Sequence, residues 1–195
     1  HHVRFELTDT YGNKSVLEFN VESKAATVQA EKKDIRRVMP YKRENHFHSE
    51  GIKIDFPENA FYTDIPFTYS KKQGEMEFIS DVHVLHNEST PIHKNSLLSI
   101  EAENLENKFQ SKALLVIVDP TSGKFYSAGG EYKNGWVTGN IRSFGDYAVA
   151  LDTIAPKIIP LSIKNGAITE SSRIRFRISD DLSGIDKIEG LLDGK

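Results

Sequence analysis

The sequence predicts an all-β protein of immunoglobulin-like β-sandwich type, with one complete central domain flanked by partial sandwiches. Three observations carry this reading. Short runs rich in β-branched and aromatic residues recur along the chain, turn-forming clusters separate them, and no long segment shows a strong helical apolar stripe. At 195 residues, with 38% hydrophobic and 10% aromatic residues, the chain can bury a sizeable core and is too apolar for disorder. A net charge of −3 gives no basic footprint for nucleic acid. No apolar run approaches the roughly 20 residues of a membrane-spanning helix. There is no cysteine, so disulfides, thiolate nucleophiles and cysteine-type zinc sites are excluded.

Taken in order, residues 1–21 read as a terminal hairpin of a preceding domain. Val3, Phe5 and Leu7 alternate with Arg4 and Glu6; Val16, Leu17, Phe19 and Val21 follow the turn residues "DTYGN". Residues 22–44 are rich in charge and poor in large apolar side chains, and read as a linker; a short helix around Ala25–Arg37 is the weaker alternative. Residues 45–151 read as the central sandwich. "GIKIDF" alternates Ile52, Ile54 and Phe56 with Lys53 and Asp55, and further strands are expected in "FTYSKK", "SDVHVLH", "SLLSIEAE", "ALLVIVD", "FYSAGGEY", "GWVTGNI" and "DYAVALD". Only "AENLENKFQSKA" suits a helical turn. Pro156 marks a boundary, and residues 152–195 read as the start of a following sandwich, in which Ile174, Phe176 and Ile178 alternate with arginines. Such partial elements leave open strand edges that could pair with each other or drive self-association.

The stretch "NHFHSEGIKIDF" raises the question of a metal, because two histidines and a carboxylate suffice for a catalytic zinc. Read as one extended strand, it puts His46 and His48 on one face and Asp55 on the other, with His48 and Asp55 about 23 Å apart. A bend at Ser49-Glu50-Gly51 would change this. On a strand, His83 and His86 fall on opposite faces, which suits packing or turn roles, and His93 suits a turn hydrogen bond. Asp180, Asp181 and Asp186 lack EF-hand spacing and read as loop caps, as does "DTYGN". Ser127, Ser143 and Ser172 lack a nucleophile-elbow context. Glu101 and Glu103 share a strand face, which is ordinary solvent-side patterning. Phe61, Tyr62, Tyr69, Tyr126, Tyr132, Trp136 and Tyr147 read as core and rim packing; a sugar-stacking platform would need several of them on one exposed face.

The succession "HHVRFELTDTYGNKSVLEFNV", "EGIKIDFPENAFYTDIPFTYS", "SDVHVLHNESTPIHKNSLLSI", "GGEYKNGWVTGNIRSFGDYAVALDTIAPKI" and "SRIRFRISDDLSGIDKIEGLLDGK" resembles the C-terminal immunoglobulin-like β-domain region of LytM-type (lysostaphin-like) envelope zinc metallopeptidases. The resemblance implies an exported protein of the periplasm or cell envelope, directed at peptidoglycan, with peptidoglycan or an envelope protein as partner. Zinc would belong to a catalytic domain not in this chain. In that family zinc is held by H-x-x-x-D and a distant H-x-H. Here six residues separate His48 from Asp55, and His46-Phe47-His48 overlaps the same segment, so the family's zinc roles do not transfer. No catalytic, cofactor-binding or metal-ligating residue is assigned, and no cofactor is expected in this chain. The leading expectation is a non-catalytic spacer, positioning or partner-binding arm. The alternatives are an independent carbohydrate- or protein-binding adhesin-like module, and an enzyme using a histidine-bound metal.

Overall fold

The structure, a computed structural model, describes residues 1–22, 37–166, 168 and 170–191. The chain divides into two compact units, residues 1–33 and 34–195.

The first unit holds the expected hairpin. β1 (His2–Thr8) and β2 (Lys14–Asn20) pair antiparallel from His2↔Asn20 to Thr8↔Lys14. Asp9 builds the turn: its Oδ1 accepts the backbone N–H groups of Tyr11 and Asn13, each at 2.9 Å, and its Oδ2 accepts the Asn13 side-chain amide at 2.7 Å. These donors, the Asn13 amide foremost, favour the carboxylate and lower its pKa. Phe5 and Phe19 stack at 6.2 Å on the hairpin surface.

The second unit contains the expected sandwich. One sheet is formed by β7 (Tyr69–Lys72), β8 (Val82–Leu85), β14 (Gly145–Leu151), β10 (Ala113–Val118) and β11 (Phe125–Gly129), adjacent in that order. The other is formed by β4 (Asn45–Ser49), β5 (Ile52–Phe56), β9 (Pro91–Glu101), β13 (Trp136–Ser143) and β12 (Glu131–Lys133). All pairings are antiparallel. The alternation read in "IKIDF" is realised: Ile52, Ile54 and Phe56 are buried and Lys53 is exposed.

Inner-face side chains of both sheets share one core that includes Phe47, Ile54, Leu98, Val137, Leu115, Tyr147 and Val149. β10 and β14 read as near-continuous apolar runs because both their faces are covered. Leu114, Val116, Ala148 and Ala150 point to the outer side, beneath Phe78, Phe125 and Leu182. Phe78 and Phe125 meet edge to face at 5.2 Å.

The linker expected over 22–44 falls partly outside the described residues, and so does almost all of the weaker helix alternative. At the linker's end the structure differs from the expectation. β3 (Arg37–Met39) pairs with β6 (Ile65–Phe67), and Met39 is fully buried in the core. Three residues are too few to show a period, so this strand is fixed by its partner. α1 (Asn107–Gln110) sits where a helical turn was expected. Beyond the sandwich, β15 (Lys157–Pro160) and β16 (Phe176–Ser179) pair antiparallel. The segment after them is tied back to the sandwich by the Ser183 N–H, which donates to Asp152 at 2.9 Å, and by Leu182.

An aromatic cluster occupies the middle of the core. Phe144 lies 5.7 Å from Phe56, 6.0 Å from Phe61 and 6.0 Å from Phe67, and the His86 ring meets it edge-on at 5.0 Å. Phe144→Ala is expected to cost about 3–5 kcal/mol, read as a lowered midpoint in urea denaturation. A loss below about 1 kcal/mol would show that the cluster collapses around the gap.

Candidate functional site

The histidine pair of "NHFHSEGIKIDF" lies on a hairpin, which corrects the single-strand geometry. β4 and β5 turn at Glu50-Gly51 and pair His46 with Asp55 and Phe47 with Ile54. Gly51 takes φ +74°, a conformation that costs a residue without a Cβ little. The fold-back puts both histidines and Asp55 on the outer face. His46 Nδ1 lies 2.6 Å from Asp55 Oδ1, and His48 Nε2 lies 3.8 Å from the same oxygen. The expected separation of about 23 Å fails because the bend at Ser49-Glu50-Gly51 does occur. Among the described residues, no three His, Cys, Asp or Glu side chains stand in an arrangement able to hold a metal ion. With both partners about half exposed, the His46–Asp55 contact is a surface pair of small energetic weight.

The inner end of the same hairpin helps to form a pocket of about 230 Å³ lined by Glu50, Gly51, Lys71, Ser80, Asp81, His83, Glu101 and Glu103. His83 on β8 is 1% exposed. Its Nδ1 is 2.9 Å from the Tyr69 hydroxyl, and the two rings stack at 6.0 Å. Burial disfavours the charged imidazolium and lowers the His83 pKa to about 4, with the Lys71 charge adding to the effect and Asp81 opposing it. At neutral pH the ring is therefore uncharged. Lys71 Nζ lies 3.2 Å from Glu50 Oε2 and 3.2 Å from Asp81 Oδ2, and the hydrogen bonds it donates to Asp81 and then Glu50 raise its pKa. Ser80 is committed: its hydroxyl donates to the Asp81 carbonyl at 2.8 Å and accepts the Val149 N–H at 2.9 Å. The pocket thus presents a neutral imidazole among carboxylates, with one ammonium already seated.

The remaining sequence candidates are dispersed. His86 follows β8 with φ +47° and packs on Phe67 and Phe144. His93 takes a hydrogen-bonding role, its Nδ1 3.0 Å from the Tyr62 hydroxyl. Asp180 caps its loop by accepting the N–H groups of Leu182 and Gly184. The Ser143 hydroxyl lies 3.1 Å from that of Tyr147, which also donates to the Ser143 carbonyl at 2.9 Å. Phe61, Tyr69 and Tyr147 are buried. The exposed Tyr62 and Tyr126 lie on a loop and on β11, while half-buried Trp136, on the opposite sheet, is covered by the Lys53 ammonium 3.8 Å from its ring centre. Glu101 closes β9 and Glu103 lies in the turn after it, both at the pocket. The sequence reading missed the grouping of Lys71, Asp81 and His83. The alternation of "DVHVLH" places His83 opposite Val82, but only the stacking of the two sheets makes the face that His83 shares with Leu85 and Tyr147 interior.

A family model described as the Zu5-like domain matches residues 36–152. The chain belongs to the Zu5-like domain family. The matched span begins just before β3 and ends just after β14, so the Zu5-like domain coincides with the sandwich and includes the strand that the sequence reading left in a linker. The family description names no peptidase. No curated protein matches the chain.

Two outcomes follow from these geometries. The folded state keeps His83 neutral down to about pH 4, whereas the unfolded chain takes up that proton below about pH 6.5. The contribution from keeping this ring uncharged is therefore present above about pH 6.5 and is lost as pH falls towards 4, by about 3 kcal/mol in total. Urea denaturation of the protein and of His83→Gln across this range should show a pH-dependent loss that the variant lacks; parallel profiles would contradict it. Asp55→Ala should change stability by less than about 1 kcal/mol, read from the same denaturation midpoints.

Proposed function

We propose that this chain is the non-catalytic β-domain region of an exported, peptidoglycan-directed zinc metallopeptidase of LytM type, acting as a spacer or positioning arm. The observation that supports this reading is the succession of β-modules: a hairpin unit, then the Zu5-like sandwich, then a further strand pair whose following segment is anchored to the sandwich through Asp152–Ser183 and Leu182. Their order parallels the segments through which the sequence resembles the β-domain region of those enzymes. Two of the sandwich's candidate binding side chains are engaged within the fold. His86 sits in the aromatic core, and the only tryptophan is engaged by Lys53. In this reading the periplasm or cell envelope is the site of action, zinc belongs to the parent's catalytic domain, and peptidoglycan or an envelope protein is the partner.

The alternative, an independent carbohydrate- or protein-binding module, gains little from the surface. Among the described residues, Tyr62, Tyr126 and Trp136 do not share a face on which a sugar chain could stack. Antibody against this chain, applied to extracts of the source cell, should detect a protein far larger than the chain itself, carrying zinc in stoichiometric amount. Deleting the Zu5-like sandwich from that protein should lower its activity on intact cell-wall sacculi while sparing cleavage of a soluble cross-linked peptide. A species of the chain's own size, or equal losses on both substrates, would overturn the positioning role.

A further inference from the structure

The pocket at the inner end of the β4–β5 hairpin is absorbed neither by the packing of the sandwich nor by the positioning role. Four carboxylates line it, those of Glu50, Asp81, Glu101 and Glu103, against the single ammonium of Lys71. Lys71 engages Glu50 and Asp81. Glu101 and Glu103 have no ion-pair or side-chain hydrogen-bond partner among the described residues. The second observation is His83. It is 99% buried and one ring nitrogen is satisfied by Tyr69, yet Nε2 has no protein partner among the described residues. No sealed side-chain nitrogen or oxygen among those residues lacks a hydrogen bond, so Nε2 is open to the pocket. A Cβ built on Gly51 would lie 3.7 Å from His83 Nε2 and 3.9 Å from Glu101 Oε2; both atoms border the same small space, which a glycine leaves clear.

We propose that this pocket binds a primary alkylammonium group, held by His83 Nε2, Glu101 and Glu103. An ammonium carries three donors and no acceptor, which matches two unpaired carboxylates and an imidazole nitrogen. Binding selects the tautomer in which Nδ1–H donates to the Tyr69 hydroxyl oxygen 2.9 Å away, so that Nε2 presents its lone pair to the ammonium, and burial disfavours protonation of that lone pair at neutral pH. The pocket already seats one ammonium between two carboxylates, that of Lys71, so its walls demonstrate the chemistry required of them. The volume of about 230 Å³ equals several water-sized groups of roughly 30 Å³ each, enough for a slim aminoalkyl chain. A metal ion fits less well, because no three ligating side chains are assembled among the described residues. The ammonium has two sources of identical chemistry, a free diamine or the side chain of a lysine-like residue in a peptide.

The test is a titration of the isotopically labelled protein with cadaverine and, separately, with Nα-acetyl-lysine methylamide, following the Gly51 amide and the His83 ring nitrogens by NMR. Saturable shifts at both positions are expected with at least one probe. A response to the lysine amide alone assigns a peptide side chain, and a response to cadaverine alone assigns a free amine. The E101Q/E103Q double variant preserves shape and should weaken binding about tenfold or more, with its amide spectrum elsewhere unchanged. Three results would overturn the proposal: no saturable shift with either probe, undiminished binding by E101Q/E103Q, or the same shifts from tetramethylammonium, which has no N–H to donate. Each reads the pocket alone, so failure here leaves the positioning role standing, and failure of that role leaves the pocket.

Discussion

Phe144 sits where the chain leaves β13 in one sheet and enters β14 in the other, and its ring is fully buried against Phe56, Phe61 and Phe67. A sandwich has to fix the relative position of two sheets that share no backbone hydrogen bonds, and here aromatic contact does it. Phe56 belongs to β5, Phe67 to the short strand β6, and Phe61 to the loop between them, so one cluster gathers the corner, a sheet strand and a connection. Tyr147 closes the same corner by hydrogen bonding back to Ser143, a buried hydroxyl finding a local acceptor as burial requires. His86 leans on Phe144 from the other sheet's β8 end. The register of each sheet follows from alternation along its strands, but the pairing of the sheets follows from these rings.

The same economy governs the polar groups. Side chains that look chemically active in the sequence are mostly occupied with the backbone or with each other. Asp9, Asp119 and Asp180 accept backbone N–H groups in turns, and His93 meets Tyr62. His83 differs from these in being buried with only one ring nitrogen spent on the fold. Its lowered pKa has the same origin as its position: it lies on the inner face of β8, where the opposing sheet removes it from water. A neutral imidazole bordered by carboxylates, beside a lysine held in its charged form, is an arrangement maintained at some cost to acid stability.

The fold class was legible in the chain. Alternation in "IKIDF", the turn residues of "DTYGN" and the helical turn in "AENLENKFQSKA" each correspond to an observed element, because each rests on interactions within a few residues. β3 was not legible. Arg37-Val38-Met39 is too short to show a period and is a strand only because Arg37↔Phe67 and Met39↔Ile65 pair across the intervening β4–β5 hairpin and its flanking loops. The stretch "NHFHSEGIKIDF" was half legible: the strand ending in Phe56 was readable, and the bend that brings Asp55 against His46 depended on a glycine turn whose alternative was a continuous strand.

The sequence by itself determined the secondary-structure alphabet, the order of hairpin, sandwich and strand pair, and which strand faces are apolar, since periodicity and turn chemistry are local properties. Tertiary structure alone decided that β10, β14 and β8 are buried on both faces, that Phe144 holds the two sheets together, and that Glu50, Lys71, Asp81, His83, Glu101 and Glu103 meet at one pocket. Those residues come from the β4–β5 turn, β7, β8 with the segment before it, and the end of β9 with the turn after it. Their meeting depends on how two sheets stack, and no spacing along a single strand encodes that.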